Sequence, residues 1–230
     1  MSVSKKSSIT GKINNITAWS YSRLSMYEKC PRQFKYKFID KIPTEDNYAS
    51  SRGSLIHAKA EQFVNGNIRG MPKELRSFAS EFRELKRMQA ETELDLSVTR
   101  AWGKSKSDDW NNVWCRAYID SAVIEKLSAT VIDYKTGKVY PEPHERQGKL
   151  YATNTFAFYP KIKEVDVEMW YIDQGEVASY HYKKKEFVGL KKYWAAEVKP
   201  MFTDNTFKPC SGGHCQWCDF KVNCEEDGGA

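Results

Sequence analysis

Two periods of apolar residues divide this chain. Over residues 72–90, Leu75, Phe78, Phe82, Leu85 and Met88 recur every three or four positions among charged neighbours, which predicts an amphipathic helix with one buried stripe. Residues 20–42 predict two shorter helices. Ser22 caps the first, which carries Leu24, Met26 and Tyr27, and Pro31 opens the second, which carries Phe34, Tyr36, Phe38 and Ile39, with Cys30 at the junction. A further helix follows the turn residues Arg52-Gly53-Ser54. Others run over 146–158, with Leu150, Phe156 and Phe158 as core, and over 186–202, with Phe187, Leu190, Tyr193 and Trp194 on the buried side. Runs rich in β-branched and aromatic residues predict strands at 114–126, 128–135, 165–173 and 176–183. Strands interspersed with helices define an α/β fold.

Composition narrows the class. At 230 residues and 40% hydrophobic content the chain can bury a real core, and no linker-like stretch divides it, so a single domain over 19–230 is expected. Residues 1–18, rich in Ser, Lys, Asn and Gly, read as a flexible arm. No apolar run is long enough to span a membrane and no signal-like segment opens the chain, so a cytoplasmic protein is expected. A formal charge of +6 is compatible with a polyanionic partner.

Side chains two apart on a strand share a face, so Asp133 and Lys135 project together while Tyr134 points away. Taken alone, the pair also reads as an ion pair at a strand end. Asp120 ends the preceding strand at hairpin distance, which puts a second carboxylate on the neighbouring strand. His57 and Glu61, four apart on a helix, share a face, as do Gln147 and Tyr151. In the polar loop 99–112, Trp102, Lys104, Lys106 and Trp110 offer stacking and phosphate contacts to a single strand, or two partly buried tryptophans. The tail, from about 207 to 225, holds Cys215-x2-Cys218-x5-Cys224, a spacing that aims thiolates at one metal centre. The fourth ligand is Cys30, Cys210 or His214, and the spacing leaves zinc and iron–sulfur both open.

These motifs, in this order, resemble the PD-(D/E)xK nuclease superfamily, in its RecB-like branch with a C-terminal iron–sulfur staple, which includes AddB-type nucleases and CRISPR-adaptation exonucleases. The quoted segments are YSRLSMYEKCPRQFKYKFI, GSLIHAKAE, YID, VIDYKTG, QGKLY and the cysteine triplet; Ala117 stands where glycine is frequent and Cys210 is extra. The resemblance implies a restriction-endonuclease-like core, a central mixed sheet flanked by helices, with the N- and C-terminal helical parts joined by a cysteine cluster. It implies Mg2+ or Mn2+ on His57, Asp120 and Asp133, with Glu61 auxiliary, and catalytic roles for Asp120, Asp133, Lys135, Gln147 and Tyr151. Cys30, Cys215, Cys218 and Cys224 would hold a [4Fe-4S] cluster. The implied activity is exonucleolytic cleavage of single-stranded DNA ends in repair, recombination or CRISPR and phage DNA processing, with recombination or CRISPR-adaptation proteins as further partners. The competing expectations are a non-catalytic DNA-binding recombination accessory protein and a zinc-ribbon binding module.

Overall fold

In the computed structural model, which describes residues 16–44 and 48–226, the β-branched run around Val131 forms the middle of a five-stranded sheet. Strand β5 (Ser128–Lys135) pairs antiparallel with β4 (Tyr118–Ile124) and parallel with β6 (Glu164–Tyr171). Strand β1 (Glu91–Asp95) lines the outer side of β4 and β7 (Glu176–Lys183) that of β6, giving the order β1-β4-β5-β6-β7. A parallel pair needs a long crossover, and helix α5 (Pro141–Phe158) supplies it.

Both faces of the sheet are covered. On one, α5 and α6 (Phe187–Thr203) bury Tyr151, Phe156 and Leu190 against Val131, Val167 and Met169. On the other, α3 (Tyr48–Val64), a 3-10 turn at Lys73–Phe78 and α4 (Ala79–Arg87) pack onto Ile132, Tyr134 and Trp170. Phe78 stacks on Trp170 at 5.0 Å between ring centroids, and Phe82 meets the same indole edge-on at 5.3 Å. This is the mixed sheet between helical layers that the resemblance implies.

A third apolar cluster joins α1 (Tyr21–Lys29), α2 (Pro31–Phe38) and the outer side of α6 to a small two-stranded sheet of β2 (Val98–Thr99) and β3 (Val113–Cys115). Trp19 is fully buried here between Trp114 and Trp194, 5.5 Å from each. Its N–H donates to Trp114 O and its carbonyl accepts from Arg116 N, both at 2.8 Å, so the chain is stitched onto β3 before α1 begins. Residues 1–15 of the expected arm lie outside the described residues, while Ala18 is buried.

Several boundaries differ from expectation for physical reasons. Ser20, not Ser22, caps α1, accepting from Arg23 N. The predicted helix at 72–90 divides into the 3-10 turn and α4, and Met88 at its end is 41% exposed rather than buried. Residues 114–126 form two strands in different sheets, and Asp120 sits near the start of β4; because β4 runs antiparallel to β5, that start lies beside the end of β5. Helix α5 begins at Pro141 instead of 146, since proline costs nothing in a first turn whose N–H groups are unbonded. Arg52-Gly53-Ser54 is not a turn but lies inside α3. A Cβ on Gly53 would stand 3.3 Å from Thr136 Oγ1, so this glycine lets the end of β5 approach the helix.

Candidate active site

The last turn of β5 brings Asp133 and Lys135 out on the face covered by α5. Asp133 is 5% exposed, and the helix lays Gln147 and Tyr151, one turn apart, over it. Tyr151 OH donates to Asp133 Oδ1 at 2.6 Å, and Gln147 Nε2 reaches the same oxygen at 3.4 Å. Lys135 Nζ donates to Gln147 Oε1 at 2.7 Å, and Gln147 Nε2 donates to Tyr151 OH at 2.6 Å. Asp133 Oδ2 lies 2.6 Å from Lys135 Nζ, an ion-pair contact outside hydrogen-bond angles, so no hydrogen-bond donor is aimed at that buried oxygen. The four side chains thus form a closed ring. Burial, followed by the charges of Asp133 and Asp120, raises the Tyr151 phenol well above its ordinary value and keeps it a neutral donor.

On β4, Ser121 pairs with Ile132, and continuing that register by one residue sets Asp120 opposite Asp133. Asp120 Oδ2 accepts from Tyr134 N at 2.6 Å, and Oδ1 lies 3.0 Å from His57 Nδ1 on α3. Burial and then the charge of Asp133 raise the Asp120 carboxyl, against the opposing pull of His57 and Tyr134 N–H. Burial alone would lower His57, but the Asp120 hydrogen bond and charge, with Asp133 behind, leave it raised. Tyr134 points away, as expected, and its OH meets Ser121 Oγ at 2.6 Å on the α4 side.

Glu61 lines the same open cleft as His57 and Asp120. So does Glu93 of β1, a residue that sequence reasoning missed, with its carboxyl raised by burial and then by Asp120 and Glu61. The charged residues 91, 93 and 95 alternate with Thr92, Leu94 and Leu96, a period-two signal weakened by the charges that carry it. His144, expected in a turn, lies on α5 instead; its Nδ1 is 2.9 Å from Tyr171 OH. Burial and then the Lys135 cation lower His144 to about 4, with Asp133 opposing. The β5–α5 loop is held by Asp173, whose carboxylate accepts from Gly137 N at 2.8 Å and from Arg52 Nη1 and Nη2 at 3.0 and 2.5 Å.

The cysteines gather at a second place. Cys30, between α1 and α2, and Cys210, Cys215, Cys218 and Cys224 line one cavity of about 90 Å3, with Cys224 on α7 (Lys221–Glu226). All six cysteines are free. Cys30 is buried, and Cys210 N donates to its Sγ at 3.4 Å, whereas Cys210 itself is exposed and meets Cys215 Sγ through its carbonyl. Burial first, then the neighbouring thiols, raise Cys218 and Cys224. His214 also lines this cavity. As the side chains stand, no three His, Cys, Asp or Glu residues among the described ones converge on a single ion, here or at Asp133. Both donor sets nonetheless suit a cation. At the sheet, the largely buried Asp120 carboxyl is raised by its own burial and then by the buried Asp133 carboxylate, beside an imidazole. At the tail, crowded thiols surround a cavity.

A mixed sheet between helices on both faces, with two acids and a lysine at adjoining strand ends, is the architecture of a restriction-endonuclease-like core. The chain belongs to the PD-(D/E)XK nuclease superfamily, whose family model matches residues 18–225. Among solved structures, it is similar to a protein from Eubacterium rectale described as a candidate exonuclease. The two are 11% identical with a TM-score of 0.51, over 97% of this chain and 93% of that one. The crystal structure of SSO0001 is 17% identical with a TM-score of 0.40, over 91% and 87%. At 11% identity the likeness to the Eubacterium rectale protein is one of fold. No curated protein matches the chain. No described helix is long and apolar enough to cross a membrane.

Proposed function

We propose that this nuclease is a metal-dependent exodeoxyribonuclease that acts on single-stranded DNA ends. The observation that carries the reading is the ring of Asp133, Lys135, Gln147 and Tyr151, with Asp120 and His57 on the adjoining strand and helix. His57, Asp120, Asp133 and the main-chain carbonyl of Tyr134 would hold Mg2+ or Mn2+, with Glu61 as an auxiliary, and the nitrogen donor makes Mn2+ a good activator. A bound divalent cation supplies charge neutralisation at the phosphate and Lewis acidity toward the leaving oxygen.

The protein groups do the rest. Lys135, held by Gln147, orients the attacking water and stabilises charge developing on the phosphate. Tyr151 fixes the Asp133 rotamer, and Gln147 turns its amide between lysine and tyrosine, so both position the reacting groups. We place this activity in repair, recombination or phage DNA processing, carried by a single nuclease domain over 19–230. We also assign the 90 Å3 cavity to a [4Fe-4S] cluster on Cys30, Cys215, Cys218 and Cys224, a clasp between the two ends of the chain.

End-labelled single- and double-stranded DNA tests the first reading. With Mg2+ or Mn2+ the wild type is expected to shorten single strands progressively from an end, and Lys135→Ala to lose at least about 100-fold in rate. Absence of metal-dependent cleavage, or equal cleavage by both proteins, would refute it. For the clasp, Cys218→Ala is expected to remove the brown absorption of the isolated protein and to lower its Tm; full colour with an unchanged Tm, or zinc as the bound element, would count against iron–sulfur.

A further inference from the structure

Two large surface clefts flank the sheet, and their charges are sorted. The cleft between α4 and the sheet, about 610 Å3, is lined by Glu81, Glu84, Glu125, Asp166 and Glu168 and by no lysine or arginine. The groove on the α5 side, about 650 Å3, has no carboxylate in its lining; it presents Lys29, Arg116 and the hydroxyls of Ser20, Ser22 and Ser25. Its inner end is formed by His144, Gln147 and Tyr151, so it opens onto the Asp133 ring. A polyanion is repelled by the first and admitted by the second.

One exposed aromatic lines this groove and a second stands against its Arg116. Tyr118, in its lining, is 49% exposed, and its OH donates to Ser107 Oγ, which holds the ring in place. Trp110 is 65% exposed, with the Arg116 guanidinium 4.1 Å from its ring centroid. Tyr118 lies two residues before Asp120 on β4, hence on the same face and about 7 Å along the strand. Trp102, the other tryptophan of this loop, is turned inward onto Trp114 at 5.3 Å and is not part of the surface.

We propose that this groove is the track of the substrate strand, with unpaired bases stacking on Tyr118 and Trp110 and the backbone running past Lys29 and Arg116 to the Asp133 ring. Stacking platforms accept single strands, because the base faces of a duplex are already covered. The proposal rests on the nuclease reading for its direction but not for its test.

Binding of a fluorescein-labelled dT12 is followed by anisotropy in EDTA, where no cleavage occurs, using the full chain. Tyr118→Ala and Trp110→Ala are each expected to weaken binding about tenfold or more, and Tyr118→Phe to retain most of it. Lys29→Ala is expected to lower the slope of log K against log salt by about 0.7. Unchanged affinity in both aromatic variants, with wild-type circular dichroism, overturns the proposal, and so does a 12-bp duplex that binds as tightly as dT12. Hydrolysis of bis(p-nitrophenyl) phosphate by the wild type with Mn2+ tests the nuclease reading separately. If no metal supports hydrolysis while the aromatic variants still lose dT12, the groove stands as a strand-binding site and the catalytic reading falls.

Discussion

Asp133 has partners from its own strand and from the helix laid over it, and each partner has a different job. Tyr151 supplies the short hydrogen bond to Oδ1, while Lys135 supplies the charge at Oδ2. Tyr151→Phe leaves Oδ1 only the long Gln147 contact, so a loss of about 1–3 kcal/mol in urea unfolding and a roughly 10–100-fold slower metal-dependent digestion are expected. A variant that is destabilised but digests at the wild-type rate would confine Tyr151 to a structural role. His144 gives a separate pH signature. Its folded value is lowered to about 4 by burial and by Lys135, with Asp133 opposing, whereas an unfolded histidine titrates near 6.5. Between these values only the unfolded chain takes up the proton, so stability falls as pH drops from about 6.5 to about 4 and is unaffected above that window. His144→Gln should flatten this part of a Tm-against-pH curve, and curves of identical slope would contradict the assignment. Asp133, Lys135, Gln147 and Tyr151 were legible because each pair sits at fixed spacing in one element. Glu93 and His144 were not, since one lies on an edge strand and the other follows two prolines that read as a turn.

Among elements, β1 was hidden by its own chemistry. An edge strand made of Glu91, Thr92, Glu93, Leu94 and Asp95 carries charges that discourage pairing with other chains, and those charges mask its β character. Buried strands such as β5 and β6 announce themselves, and so did the stripe of α4. Gly53 misled in the opposite direction, because close approach and turning look alike in sequence. Gly53 lies within α3 where Thr136 comes near, and Gly148 is buried in α5 where a Cβ would stand 3.3 Å from both Val167 Cγ1 and Met169 Cε. Gly148→Val should therefore push α5 off β6, costing about 1–3 kcal/mol in urea unfolding. Gln147 is its neighbour, so cleavage should slow as well. Unchanged stability in the Gly148→Val variant would mean that the helix has room the packing does not reveal.

Across the molecule, Arg146 fastens the active-site helix to both of its neighbours. Its guanidinium donates to both oxygens of Glu28 on α1 at 2.6 Å, to Tyr193 OH on α6 at 3.1 Å, and to Glu197. These groups are a quarter to a third exposed, so screening limits their worth. Arg146→Ala is expected to cost about 1–2 kcal/mol, read as a lower Tm, with a larger fraction lost at low salt than at high. A salt-independent loss would point to packing against Trp194 instead. Cys30 and the tail cysteines converge on one cavity, and Gln33 lines both that cavity and the α5-side groove. That convergence was legible only through the cysteine spacing and the resemblance, because no local pattern links residue 30 to residue 224.

The same separation sets a timetable for synthesis. Tyr151 completes the ring around Asp133, whereas Cys224 follows 73 residues later (224 − 151). At about 5–20 residues per second, the ribosome releases everything the ring requires roughly 4–15 s before the cysteine cavity can close. Half of the sheet can therefore be in place while Cys30 still waits for its distant companions, exposed to oxidants and to stray metal ions. If the cavity takes the proposed cluster, its delivery would follow assembly of the ring rather than seed it.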